Sequence, residues 1–437
     1  MQSQQRNKRK QGAILGLVLV ILVVFSILGI SLVYQSSLDS VEAANTISSD
    51  KAFWAAEAGL QDAKAWARRY IMPYENMPGF KMSWTNQIGS SSFHVQVIPS
   101  PLNSGQAEKI YSIVSTGVSG VSGLRTVTMQ CQIESFASYM HASNFETTPD
   151  GSPIYFGPGD RLDGMVYVNG QLNIYGGNPN PVFLQLARSA ASTVNYQSGA
   201  NSSVFQGGVT LNAPPLDFNV SQNYVANIEA IAQSGGLALM TAGQYSIGFN
   251  SNGTMTYKMR NNSSSPWGVT TTNSLSAMNG AIYVNGAVDE LGGTVKGNVT
   301  LAASDEILIT SNLVYNSAPP NSQLFAATNN PNTIVDSLGL VAVNDVTIMG
   351  TSAINIQAAI LVTQGDNGFG ADQRYNNIGQ PSINLYGSVS QYRRGVVGTV
   401  GGTGYRKNYK YDTRFLANPP PFFPYSVYSF SQWKQTL

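Results

Sequence analysis

The chain has 437 residues, 43% of them hydrophobic, enough to build a large buried core and to exclude disorder along its whole length. Charged residues make up only 11%, and 24 basic residues nearly cancel 23 acidic ones, which excludes a nucleic-acid binder carried by general basicity. One cysteine, Cys131, and two histidines, His94 and His141, leave no intrachain disulfide and no ligand-rich zinc site.

The N-terminus sets the expected topology. Residues 1–12 are polar and hold Arg6, Lys8, Arg9 and Lys10, whereas Ala13 to Val33 contains no charge in 21 residues. As a helix this run would span about 31 Å, the thickness of a bilayer core. The basic cluster before it predicts a cytoplasmic N-terminus with everything after Val33 translocated. The run exceeds the roughly 7 to 15 apolar residues of a cleaved secretory signal.

Tyr34 to Tyr70 contains no proline and a single glycine, so the helix is expected to continue over 34–71. Phe53, Ala56, Leu60, Ala63 and Ala67 recur at spacings of three and four, an apolar stripe set against Glu57, Gln61, Asp62 and Lys64. A helix from Ala13 to Tyr70 would be about 87 Å long, its first half suited to lipid or apolar helices and its second to a folded domain. A plain membrane anchor with an amphipathic stalk satisfies the same composition.

The basic leader, Gln11-Gly12-Ala13 opening the apolar helix, and AFWAAEAGL ending at Leu60 together resemble the N-terminus of PilX-like minor pilins and related type IV pilin-like proteins. The resemblance covers about the first 70 residues. It implies cleavage after Gly12 by a prepilin peptidase, with Ala13 as the new N-terminus. Loss of the leader would take the formal charge from +1 to about −3. It further implies a single-pass protein of the bacterial inner membrane that is handed to inner-membrane assembly machinery and then joins a cell-surface filament. There the helix would pack on other pilin-like subunits, with Leu17, Phe25, Phe53, Ala56 and Glu57 at the filament core. Most major pilins carry glutamate at the fifth mature position, where this chain has Leu17. A buried carboxylate is expensive unless paired, and a subunit at a filament tip has no earlier subunit above it, so Leu17 favours a minor or tip subunit.

From Met72 the text becomes rich in Pro, Gly and Ser with alternating apolar residues, and 72–139 reads as a small antiparallel β head. Phe93, Val95 and Val97 share one strand face, leaving His94 as a half-exposed strand residue. Cys131 alternates with Met129 and Ile133 and is expected in a core. VSGVSGLR reads as a hairpin between two strands.

After Tyr139 short alternating runs are broken by Gly, Asn or Asp, and YVNG occurs at both Tyr167 and Tyr283. Repetition of one strand and one corner predicts an irregular parallel β-helix or β-solenoid over 140–391, with an antiparallel β-sandwich as the alternative. Residues 185–278 lack the regularity and read as an insertion, the expected place for a surface ligand to bind. That stretch includes a short helix in VSQNYVANIEAIAQSGG and a hairpin about Ser251-Asn252-Gly253. The class as a whole is α+β and mostly β.

The last segment, 392–437, contains GYRKNYKYDTRF and PPPFFP and resembles the end of an uncharacterised bacterial domain often joined to PilX-like N-termini. Pro419 to Pro421 impose an extended backbone, and Phe422 and Phe423 are expected to cap an open end of the stack. Asp412 and Arg414 are expected to pair locally, and the adjacent Arg393 and Arg394 to be solvated.

Chemistry is sparse. Asp160 with Asp163, Asp289 with Glu290, and Asp305 with Glu306 are the close acidic pairs, and Asp366 with Asp372 in GDNGFGAD is a weak calcium candidate that lacks EF-hand spacing. A carbohydrate-active enzyme would require Asp160, Asp163, Asp305 or Arg393 to converge in one groove. The sequence contains no Walker loop, H-E-x-x-H or G-x-S-x-G. The leading expectation is a structural subunit without enzymatic activity or cofactor, serving priming of filament assembly or surface adhesion. A membrane-anchored surface module that never enters a filament is the alternative.

Overall fold

The computed structural model describes residues 2–70, 82–103, 108–120, 123–218, 224–326, 333–372, 374 and 379–436. The class is the expected one: a long N-terminal helix ahead of a small antiparallel sheet and a much larger, mostly parallel one. Helix α1 runs unbroken over Gln2–Tyr70, through a stretch without proline and rich in strong helix formers.

The antiparallel head begins with β1 (Ser83–Ile88), β2 (Ser91–Pro99), β3 (Glu108–Ser119) and β4 (Gly123–Ser135), paired in chain order. Strict alternation buries Phe93, Val95 and Val97 on β2 and Val127, Met129, Cys131 and Ile133 on β4. Against this face α1 lays Ala56, Leu60, Ala63 and Ala67, with Phe53 half-buried beside them. Alanine lets the two backbones come close, and Gly117 lies so near Ala52 that a Cβ there would overlap its carbonyl oxygen. His94 is half-buried and shares a hydrogen bond with Thr85 at 2.8 Å. Residues 71–81, the opening of the expected head, and 121–122 in the expected hairpin lie outside the described residues.

A buried 3-10 turn, Phe136–Ser138, leads into β5 (His141–Phe145), β6 (Arg161–Asp163), β7 (Val166–Val168), β8 (Asn173–Tyr175), β9 (Val182–Phe183), β10 (Ala187–Ser189), β11 (Asn195–Gln197) and β12 (Val209–Thr210). Helix α2 (Tyr224–Gln233) follows, then β13 (Leu237–Asn250), β14 (Thr254–Arg260), β15 (Thr271–Ser274), β16 (Ala281–Val295), β17 (Asn298–Ala303) and β18 (Ile307–Tyr315). After α3 (Asn321–Ala326) come β19 (Ser337–Ala342), β20 (Val346–Ile348), β21 (Ile354–Val362), β22 (Phe369–Ala371), β23 (Gly379–Arg393), β24 (Gly404–Tyr411) and β25 (Tyr425–Thr436).

These strands build a three-sided parallel stack. One ladder carries β12, β10, β7, β5, the ends of β23 and β21, then β19, β17 and the starts of β16 and β13. A second pairs β8 with β11, and β22, β20 and the start of β18 with one another. The third holds β9, β6, β24 and the starts of β23 and β21. Within the large sheet the described pairings are parallel apart from β13 with β14 and β14 with β15, whereas a sandwich would be antiparallel throughout. Each coil buries apolar side chains such as Leu301, Leu340 and Ile360 over the next.

The corners explain the Asn, Asp and Gly content. At the two YVNG copies Asn169 donates to Asn144 Oδ1 at 2.9 Å, and Asn285 donates to Met240 O at 2.9 Å, each bridging to an adjacent coil. Gly286 follows with φ of 133°, a backbone state open to glycine. Asn344 donates to Asp305 at 2.5 Å and Asn367 to Asp345 at 3.1 Å, extending the same kind of corner bridge coil by coil.

The order of coils in space departs from their order in the chain. The chain enters midway, at β5, and builds to one end through β7, β10 and β12. It then crosses by way of α2 to the opposite end at β13 and returns through β16, β17, β19, β21 and β23, whose Val389 and Gln391 pair with His141 and Ser143 of β5. The first coil therefore rests on the last.

Two expected boundaries change. Residues 185–278, read as an insertion, contribute β10, β11, β12 and β13 to the parallel ladders, and among the described residues between β12 and β13 the regular element is α2. The expected hairpin is present, with Asn250 paired to Thr254. Residues 392–437, read as an end cap, instead supply β24 to the middle of the stack and β25 to the head, where it becomes the fifth strand beside β4. Phe423 is fully buried, but on the flank of the stack against Thr300 and Gly339. The cap reading missed this because proline and phenylalanine content shows that a segment is extended and apolar without showing which edge receives it.

Candidate functional site

Helix α1 divides into two chemically distinct parts. From Ile14 to about Val41 its large apolar side chains are exposed, Leu17 at 61% and Phe25 at 67%. Its most apolar 18-residue window has a mean hydropathy of 3.0, long and apolar enough to cross a membrane once. The few hydroxyls are satisfied within the helix, Ser26 donating to Leu22 O at 2.8 Å and Ser40 to Ser36 O at 2.7 Å, so they add little cost in an apolar environment. Gly12 and Ala13, the expected cleavage site, fall inside α1.

Beyond Asn45 the helix is anchored. Ala56 is buried in the head core, Glu57 accepts from Trp433 Nε1 at 2.6 Å, and Asp62 accepts from Trp84 Nε1 at 2.8 Å and from Asn86 at 3.2 Å. Of the five residues expected at a filament core, Leu17 and Phe25 project freely, while Phe53, Ala56 and Glu57 are engaged within the chain's own head.

Where first and last coils meet, the stack holds a buried ionic cluster. Arg394 Nη1 donates to Glu146 Oε2 at 2.5 Å and to Ile154 O at 3.2 Å, Nη2 donates to Tyr155 O at 3.0 Å, and the guanidinium lies 3.7 Å from the Phe156 ring centroid. Lys407 donates to Asp160 Oδ2 at 2.8 Å while its backbone N–H donates to Oδ1 of the same carboxylate at 3.0 Å. Ser143 also donates to Glu146, and His141 Nε2 stands 3.6 Å from Glu146 Oε1, beyond hydrogen-bond reach. Burial pushes the Glu146 carboxyl up, but Arg394, His141 and Ser143 pull it down to about 2. Burial holds the His141 imidazole below its ordinary value. Arg394, expected to be solvated, is 1% exposed. Only the meeting of two distant coils brings its partners to it, so adjacency in the sequence carried no signal.

This cluster has a physical task. Within each half of the stack successive coils are joined by continuous chain, from residues 296–297 between β16 and β17 to residues 316–336, which hold α3, between β18 and β19. The junction has no such connection, because β5 is entered from the head and β24 leaves toward 412–424. Paired charges with many hydrogen bonds penalise a slipped register more strongly than interchangeable apolar contacts do.

A groove of about 750 Å³ runs beside the junction. Its floor includes Leu308, Thr347 and Gly370, neighbours on successive strands, and Val396; Glu306, Asp345 and Asp372 stand along it. Burial, then Asp305, Asp289, Asp345 and Asp372, push the Glu306 carboxyl up. The calcium candidates each face an arginine, Asp366 lying 3.5 Å from Arg393 Nε and Asp372 lying 2.7 Å from Arg374 Nη2. Among the described residues no group of three or more His, Cys, Asp or Glu side chains is placed to hold a metal ion. Asp160 pairs with Lys407, Asp163 with Arg161 at 3.2 Å, Asp305 with Asn344, and Arg393 with the carbonyls of Thr147 and Thr148, so the enzyme candidates are held by four separate sets of partners.

Residues 11–61 match the family model described as PilX N-terminal, a match that lies wholly within α1. No curated protein and no solved structure matches the chain. The N-terminal region is thus similar to that of PilX, a type IV pilus-related minor pilin family.

Proposed function

We propose that this chain is a minor subunit of a type IV pilus-like or pseudopilus filament, held in the inner membrane by residues 13–33 with its N-terminus cytoplasmic, and then drawn into the filament through α1. The observation that carries this reading is one unbroken helix with exposed apolar side chains over its first part and a packed head over its second, coinciding with the PilX match. Leu17 in place of a carboxylate supports low occupancy or a tip position, because no amine need be paired there. The three-sided stack is too bulky to repeat at each small axial step of a filament, which supports the same position. In this reading the stack serves priming of assembly or adhesion to a surface ligand, and the chain acts as structure rather than as an enzyme.

The test is N-terminal mass spectrometry of the protein recovered from membranes and from sheared surface fractions. A mature chain beginning at Ala13 in the sheared fraction is expected. A chain that keeps residues 1–12 in both fractions overturns the filament reading in favour of a signal-anchored surface module.

A further inference from the structure

Strand β25 is the last element of the chain, yet it completes the head, the first domain built. It pairs with β4 from Tyr425 opposite Ser135 to Thr436 opposite Thr126, and just before its start Ser135 donates to Pro424 O, 289 positions away. Its Trp433 bonds Glu57 on α1, and Tyr425 is buried in the head core. All of 136–424, including the whole stack, lies between the two paired strands.

What brings Tyr425 to Ser135 is the segment 412–424, strapped along the flank of the stack. Tyr411 donates to Ala137 O at 2.9 Å, and Arg414 pairs with Asp412 at 2.5 Å while donating to Ile334 O at 3.0 Å and Asp336 O at 2.9 Å. Thr300 donates to Pro421 O at 2.5 Å, and Phe423 is fully buried beside it. Phe136 N–H then donates to Pro424 O at 3.0 Å. The strap begins where β24 ends, and β24 is seated between β23 and β6, in the coil whose position the Arg394 and Lys407 pairs set. With the strap in place β25 starts next to its partner. With the last coil unseated, β25 would have to find β4 across a long flexible loop, whose closure entropy opposes docking.

We propose that closure of the distal stack and completion of the head sheet are one coupled event, so that a chain whose last coil is not seated on its first presents a head without its edge strand. Information about the state of the distal stack thereby reaches the head and α1, where the chain meets other subunits. The coupling is independent of what those subunits are.

Hydrogen exchange measured by mass spectrometry on the full chain in detergent micelles, across a denaturant series, tests this. Peptides spanning 425–436 and 126–135 should lose protection at the denaturant concentration at which 385–393 and 141–145 lose theirs. Arg394→Met, remote from the head, should shift both sets to lower denaturant together and raise exchange in 425–436 by about tenfold or more under native conditions. The proposal is overturned if 425–436 stays protected, in wild type or variant, where the β23–β5 junction has already exchanged. The wild-type series decides the matter even if the variant does not fold. Truncation after Pro424 should expose 126–135 and, because a coupling free energy is reciprocal, also move the loss of protection at 385–393 to lower denaturant; unchanged protection at 385–393 would contradict the coupling.

Discussion

Arg394 and Glu146 stand 2.5 Å apart although 248 positions separate them in the chain, and both side chains are 1% exposed. Their pairing is the clasp between the first coil of the stack and the last. Arg394→Met leaves a buried carboxylate without its counter-charge and is expected to lower stability by about 3–5 kcal/mol, whereas Arg394→Met with Glu146→Gln recovers part of that loss. Urea unfolding of the purified chain in detergent, followed by tryptophan emission, provides the comparison.

The same cluster makes the junction acid-sensitive. His141 has a lowered pKa because burial disfavours the imidazolium, with Arg394 and Lys407 adding to this against the opposing pull of Glu146. A base depressed in the folded state costs stability once protonated, so its contribution is complete above the ordinary value of 6.5 and declines as pH falls below it. Glu146, held at about 2, contributes fully above its ordinary 4.5 and loses that contribution as pH falls toward 2. Both effects have the same sign. Urea midpoints should fall progressively from pH 7 to pH 4, and His141→Asn should flatten the upper part of that decline.

At the head, Gly117→Ala places a methyl group against the Ala52 carbonyl and should push α1 off β3. A loss of about 1–3 kcal/mol is expected from such overpacking. Thermal unfolding together with a red shift of Trp84 emission would register it, since the Trp84 indole is bonded to Asp62 of the helix.

Phe423→Ala empties a fully buried site between the strap and the stack and should cost about 3–5 kcal/mol. Limited proteolysis is expected to cut the variant first in 412–436. Cleavage elsewhere at unchanged rates would show that the strap is held by its hydrogen bonds alone.

Gly12→Ala is expected to block removal of residues 1–12 and keep the chain in the membrane fraction. Immunoblotting of membrane and sheared fractions reads this out, and surface display equal to that of the wild type would contradict processing at this position.

Much of the N-terminal region was legible from its residues. A charge-free run after a basic leader, then a three-and-four apolar stripe, specifies a helix that can cross an apolar layer and then pack, because these patterns depend on local periodicity alone. Alternation likewise placed Phe93, Val95, Val97 and Cys131 in the head core. The glycine and asparagine corners marked where short strands end, but they suited a parallel stack and an antiparallel sandwich alike, since both need tight turns.

The partners of Arg394, Asp160 and Lys407, the central seat of β24 and the return of β25 to the head were not legible. Each depends on which distant strand edge is adjacent, and edges of similar composition are indistinguishable in sequence. The sequence by itself determined the elements: the apolar helix, the alternating strands, the corners and the pilin-like start. Only the tertiary structure decided their order in space, placing the first coil on the last and the final strand on the head. Local patterns follow from neighbouring residues, whereas edge pairing across hundreds of residues is selected by the burial and charge complementarity of the assembled whole.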